Sequence, residues 1–155
     1  METASAYLGI GTNLGDKANH IRQAVELIGQ RVGKVLATSS VYESEPWGFV
    51  SDNRFFNVAV QVATTLPPMK LLDETQRIEK LMGRTEKTTD AYTDRIIDID
   101  ILLYGQAVVD TEILKIPHPL LTERDFVVIP LAEIAPQLTH PTLHLKMEEL
   151  AARYR

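Results

Sequence analysis

Residues 94–105 read D-R-I-I-D-I-D-I-L-L-Y-G. From Ile97 to Ile101 apolar and acidic side chains alternate with period two. That is the period of a strand, whose successive side chains point to opposite faces. Ile97, Ile99 and Ile101 are therefore assigned to a packed face, and Asp98 and Asp100 share the other. At ~3.3 Å of rise per residue the two acids stand roughly 7 Å apart along the strand. Side by side they repel, and they need cations or hydrogen-bond donors to stay charged cheaply. Hard oxygen ligands on a rigid strand suit Mg²⁺, which favours one or two carboxylates plus substrate phosphates. A pair can hold two ions ~3.5–4 Å apart across a transferring phosphoryl group. The competing reading is a sheet face whose acids simply meet water. Arg84, Lys87 and Arg95 lie in or beside the loop that leads into the strand. Such cations can neutralise charge at a metal–phosphate site. A charged loop is also commonly just solvated, so both readings stand on this segment alone.

The rest of the chain supplies the partners such a strand needs. Ala6–Ile10 is a first strand, followed by a turn at residues 11–16 in which Asn13 or Asp16 can cap a helix. Ile21, Ala24, Val25, Ile28 and Val32 recur at helical spacing, predicting a helix over 16–31. Val35–Tyr42 is β-branched and predicts a strand, and residues 43–54 a loop. Phe56, Val58, Val60 and Val62 alternate with Asn57, Ala59, Gln61 and Ala63, predicting a half-buried strand. Pro67-Pro68 opens a second helix striped by Leu71, Leu72, Thr75, Ile78, Leu81 and Met82. Residues 84–95 are a long polar loop, of a kind that is often functional. Ile96–Tyr104 is the third strong strand, with a short strand at Ala107–Val109 expected to pair with it across Gly105-Gln106. A short helix is expected within 122–134, and another at the C-terminus around Met147, Leu150, Ala151 and Tyr154. The order β-α-β-β-α-β predicts an α+β, ferredoxin-like antiparallel sheet with helices packed on it, in one domain over residues 1–155. That plan hosts many functions.

Composition narrows the functions. A net charge of −5 disfavours nucleic acid as the main partner. With no cysteine there is no disulfide framework and no thiolate nucleophile or ligand, which suits a reducing cytoplasm. No signal peptide and no run near ~20 apolar residues is present, so no membrane is expected. G-I-G-T-N-L-G has three residues between its last two glycines where a dinucleotide-binding turn has two, so it reads as a tight strand-to-helix turn. No P-loop sequence occurs. Trp47 and Phe55 could line a slot for a flat ring with Asn57 reading its polar edge, or could be ordinary core aromatics. His118 is held between two prolines, and His20, His140 and His144 lack metal-ligand spacing.

Taken together, A-Y-L-G-I-G-T-N-L-G-D, S-S-V-Y-E-S-E-P-W-G, F-F-N-V-A-V, T-Q-R-I-E-K-L-M-G-R, D-R-I-I-D-I-D-I-L-L-Y-G and I-P-H-P-L-L-T-E-R-D-F-V-V-I-P-L, in this order over nearly the whole chain, resemble the 6-hydroxymethyl-7,8-dihydropterin pyrophosphokinases of folate synthesis. The resemblance implies an enzyme that moves the β,γ-pyrophosphoryl unit of ATP onto the pterin hydroxymethyl group and releases AMP. It implies two Mg²⁺ ions on Asp98 and Asp100, with Arg84 and Arg95 contacting the phosphates. Gln76 and Glu79, one helical turn apart, would face the nucleotide. Ile101 would meet adenine through its backbone, and His118 and Arg124 would bind phosphate. Phe55 and Phe126 would sandwich the pterin, Asn57 would bond its edge, and the loop carrying Ser44, Glu45 and Trp47 would close the pocket. The implied partners are these small molecules alone, for a cytoplasmic monomer.

The departures from the family pattern are local. Glu86 stands where a second arginine is common, with Lys87 the neighbouring base. Tyr92-Thr93-Asp94 replaces a common W-G-P, and Phe55 a common tyrosine. Ile113 and Lys115 stand where other members use polar groups near adenine. A ferredoxin-like ligand sensor is the rival from another class, and a two-metal nuclease a third reading that the acidic charge disfavours.

Overall fold

The alternating segments form strands and the 3.6-period segments form helices, in the expected order. A computed structural model describes residues 2–47, 49, 51–83 and 96–154. β1 (Ala4–Thr12) leads to α1 (Lys17–Arg31), whose first turn is capped by the Asp16 carboxylate accepting from the Asn19 amide at 3.2 Å. β2 (Gly33–Thr38), β3 (Tyr42–Ser44) and β4 (Phe55–Thr64) follow, then α2 (Pro68–Leu81), which begins at a proline. β5 (Asp98–Tyr104) completes the main sheet. The order across it is β2-β4-β1-β5, all antiparallel, with β3 beside β4. This is the ferredoxin-like arrangement, with β1 at the centre and β5 at an edge.

One face of the sheet carries Ala6, Leu8 and Ile10 of β1, Val58, Val60 and Val62 of β4, and Ile99 and Ile101 of β5, with Ile97 just before it. These pack on Ile21, Ala24 and Ile28 of α1 and on Leu71 and Ile78 of α2. Among the described residues the opposite face is covered over part of its length only. There Tyr7, Ala59, Leu102 and Leu103 meet α3 (Asp125–Ile134) and α4 (Met147–Ala151) through Val128, Leu131, Met147 and Leu150. A register shift between Tyr7 and Leu8 lets both Leu102 and Leu103 reach this second core.

Two local expectations are corrected. The strand expected over Val35–Tyr42 is two strands, β2 and β3, because Ser39 interrupts the ladder. Its hydroxyl accepts from the Ala59 amide at 2.9 Å while its own amide donates to the Ala59 carbonyl at 2.9 Å. A side-chain oxygen thus replaces a main-chain one at the kink. The short strand after Gly105 does not pair with β5. Instead β6 (Val109–Asp110) pairs with β7 (Lys115–Ile116), because the Thr111 hydroxyl closes the intervening turn on both the amide and carbonyl of Leu114. The helix expected within 122–134 is present as α3, preceded by a 3-10 turn at Leu121–Glu123.

Candidate active site

The site lies on the uncovered half of the second sheet face. Gly11 pairs with Asn57 on one side and Asp98 on the other; Gly9 pairs with Ala59 and Asp100. Directly paired residues share a face, so both aspartates and Asn57, with Phe55 two residues before it, look onto the same floor. Strands lie ~4.8 Å apart, so the acids stand roughly 10 Å across the floor from the Phe55 and Asn57 strand.

That floor is bare because the central strand has glycine there. A Cβ on Gly33 would lie 2.0 Å from the Ala63 carbonyl oxygen, so packing alone demands that glycine. A Cβ on Gly11 would meet Asn57 Oδ1 at 3.4 Å and Phe55 Cδ1 at 3.6 Å, and one on Gly9 would meet Leu102 at 3.4 Å. These are ordinary contacts, so the fold accommodates a methyl group at both positions. What the two glycines provide is the space above them.

The resulting pocket has a volume of about 520 Å³, in the range of small-molecule sites. It gathers twelve of the residues singled out from sequence: Ser44, Glu45, Trp47, Phe55, Asn57 and Gln76, then Asp98, Asp100, Ile101, His118, Arg124 and Phe126. Glu79 does not line it. That side chain is 2 % exposed, and its carboxylate accepts from the Ile99 amide at 2.8 Å, on the edge of β5 between the two aspartates. Its place is to hold the strand that carries the acids. Arg84, Lys87 and Arg95 lie outside the described residues.

The pocket has two unlike ends. At one, Phe49 meets Phe55 edge-on, with ring centroids 6.2 Å apart at 89°. The Arg124 guanidinium, at the start of α3, lies 4.3 Å from the Trp47 ring centroid and 5.8 Å from that of Phe126. Asn57 is oriented there: its Nδ2 donates to the Tyr42 carbonyl at 3.0 Å and to Ser44 Oγ at 2.8 Å. With both amide hydrogens engaged, Oδ1 is the acceptor turned to the Gly11 floor. At the other end stand Leu72 and Gln76 of α2, Ile101 of β5 and the β6–β7 turn. His118 Nδ1 accepts from the Leu120 amide at 3.1 Å, which leaves Nε2 as the protonated nitrogen of the neutral ring. The aspartates lie between the two ends.

Sequence reading missed several lining residues. Gly9 and Gly11 were visible as an alternating G-I-G within a strand, but read only as the approach to a turn. Phe49 had no periodicity to mark it. Glu112 and Leu114 reach the pocket on the β6–β7 turn, beside Ile113 and Lys115, which the resemblance had already put near adenine; Ile113 lines it as an apolar side chain 69 % exposed.

Comparison with known proteins gives the family and the fold. The family model for 7,8-dihydro-6-hydroxymethylpterin-pyrophosphokinase (HPPK) matches residues 7–136. A 2-amino-4-hydroxy-6-hydroxymethyldihydropteridine pyrophosphokinase of Aquifex aeolicus is 41% identical over 146 residues, covering 94% of this chain and 89% of that protein. One from Porphyromonas gingivalis is 45% identical over 140 residues, 89% of this chain and 95% of that protein. The crystal structure of Plasmodium falciparum HPPK-DHPS wild type with pterin and p-hydroxybenzoate matches in fold, with a TM-score of 0.79 at 20% identity. It covers 99% of this chain and 43% of that longer one.

Proposed function

Because the chain belongs to the 7,8-dihydro-6-hydroxymethylpterin-pyrophosphokinase family, we propose that this pocket uses ATP and magnesium to place pyrophosphate on the pterin hydroxymethyl group, with AMP leaving. Pyrophosphoryl transfer to hydroxymethyldihydropterin, in folate biosynthesis, is the activity of the family. The observation that carries the reading is the floor of Gly9 and Gly11, with an aromatic, hydrogen-bonding end on one side and two carboxylates on the other.

A flat pterin suits the aromatic end. Phe55 and Phe126 offer stacking faces, and the pterin edge presents N–H donors that the fixed Asn57 Oδ1 accepts. The loop with Ser44, Glu45 and Trp47 closes that end and excludes water. ATP takes the other end, its adenine against Ile101 with Gln76 nearby, and its phosphates toward His118 and Arg124, with Arg84, Lys87 and Arg95 as further cations. Glu79 contributes by holding β5, not by touching the nucleotide. The hydroxymethyl oxygen bonds to the β-phosphorus, and the bond from that phosphorus to the α,β-bridging oxygen breaks, so AMP keeps the bridging oxygen. The protein's part is to align the two substrates and to stabilise charge.

The donor set fits magnesium. Asp98 and Asp100 line the pocket, and among the described residues no group of three or more acidic, His or Cys side chains gathers. A site of two carboxylates completed by substrate phosphates is what Mg²⁺ commonly takes. Two such ions, when bound, would neutralise charge on the transferred unit. No described helix is long and apolar enough to cross a membrane. The reading extends to one cytoplasmic domain acting as a monomer; the absence of cysteine suits the reducing compartment and bears on nothing else in it.

The deciding experiment is product analysis with Mg²⁺, ATP and the dihydropterin. AMP formation that requires the pterin supports the proposal; ADP as sole product, or AMP release without pterin, overturns it. A metal titration in the same assay tests the magnesium dependence.

A further inference from the structure

An acid near the end of α3 has no reason to be there on helical grounds. Glu133 sits in the last turn of α3, where the helix dipole disfavours negative charge and no basic residue offsets it. Its carboxylate is nevertheless held by three donors from a segment more than ninety residues earlier. Oε1 accepts from the Tyr42 hydroxyl at 2.5 Å; Oε2 accepts from the Ser40 amide at 2.9 Å and from the Ser40 hydroxyl at 3.1 Å. These bonds hold the carboxyl below the usual carboxylate range, the Tyr42 hydroxyl contributing most.

Ser40 and Tyr42 lie at the kink between β2 and β3, and both lead into the pocket. The Tyr42 carbonyl and Ser44 Oγ fix the Asn57 amide, and Trp47 follows three residues after Ser44. α3 leads into the same end from the other side, with Arg124 and Phe126 at its start. One wall of the aromatic slot is thus β3 and its loop, and the other is the first turn of α3. Glu133 joins the two elements at the far end of the helix.

We infer that Glu133 is a positioning residue for the pterin: by bonding Ser40 and Tyr42 it sets the spacing and angle between the β3 wall, with Asn57 and Trp47, and the α3 wall, with Arg124 and Phe126. This rests on the assignment of the pterin to the aromatic end. Glu133 touches no substrate, and of the groups given to ATP only Arg124 lies on an element it holds, the rest being on α2, β5 and the segments beyond it. Its loss therefore acts mainly on the pterin and much less on ATP.

The test compares Glu133→Ala and the milder Tyr42→Phe with the parent enzyme. Tyr42→Phe keeps the main-chain carbonyl that Asn57 uses. Trp47 is the only tryptophan, so intrinsic emission of the ligand-free protein reports on the slot directly. The expected result for Glu133→Ala is a shift in Trp47 emission and a rise of about fivefold or more in the KM for the pterin, from lost charge-assisted bonds. The KM for ATP should move by less than about twofold, and Tyr42→Phe should show the same pattern at smaller amplitude. Equal rises in both KM values overturn the inference. So does a lower melting temperature with unchanged emission and unchanged pterin KM, which is what a merely structural clamp would give. If Glu133→Ala does not fold, Tyr42→Phe decides by the same readouts. Pterin-dependent AMP formation by the parent enzyme is judged separately, so its failure is not mistaken for failure of the clamp.

Discussion

The two faces of β1 are built on opposite principles. Ala6, Leu8 and Ile10 fill one face and are closed over by α1 and α2. Tyr7, Gly9 and Gly11 on the other begin inside a second core and end as an open floor. The first face is defined by side-chain volume and the second by its absence. A single strand can do both because adjacent residues point apart, so stability and chemistry are assigned residue by residue along one segment. β5 repeats the division, with Ile99 in the core between two acids in the pocket.

The sharpest way to break this comparison is on β5. Asp98→Ala should lower turnover by about a thousandfold, the scale of losing a charge-stabilising group. Its melting temperature should stay within a few degrees, since the carboxylate faces the pocket. A variant that melts early, or one that keeps wild-type turnover, would show that the acid belongs to packing after all. The converse change is Leu8→Ala, on the filled face. It should destabilise by about 3 kcal/mol in chemical denaturation while the folded fraction keeps near-normal KM values, because it leaves a cavity on the sheet face turned away from the pocket. Altered substrate affinity in folded Leu8→Ala would mean that the two faces are not independent.

A smaller effect distinguishes the bare floor. Gly11→Ala should fold normally, given the ordinary contacts its Cβ would make. It should raise the pterin KM by about tenfold, as expected for about 1.4 kcal/mol of crowding between Asn57 and Phe55. Unchanged pterin kinetics would refute the role given to the space above Gly11. The smallest expected effect lies away from both faces. His140 Nδ1 accepts from the amides of Thr142 and Leu143, and burial, with the neighbouring His144, pushes its pKa down. The unfolded chain then binds more protons than the folded one as the imidazole titrates. Stability from neutral His140 is complete above the ordinary imidazole pKa of about 6.5 and is lost as pH falls below it. A melting curve of His140→Gln that keeps the same acid dependence as the parent would remove His140 as its source.

Much of this is legible in the sequence. The alternation in residues 96–101 assigned Ile97, Ile99 and Ile101 to the core and placed both acids on one face, because strand geometry leaves no other choice. Long helical periods gave α1 and α2 for the same reason. The β2–β3 kink was not legible, because β-branched residues run through it and the interruption is made by one serine hydroxyl bonding a strand partner twenty residues away. Helical spacing places Glu79 one turn from Gln76 but does not say that a β5 amide bonds its carboxylate. Glu112 and Leu114 on the β6–β7 turn reach the pocket through the fold of the hairpin, which no local pattern marks.

The sequence by itself determined the periods, the order of elements and the identity of the acids and aromatics, since each depends on neighbours within a few residues. The tertiary structure decided which of them share a pocket. Gly11 stands between Asn57 and Asp98 through pairings that span some forty to ninety residues of chain, and Glu133 meets Tyr42 across a similar distance. Such contacts are set by sheet register and helix packing, which sum many weak interactions over the whole molecule, and no local pattern encodes them.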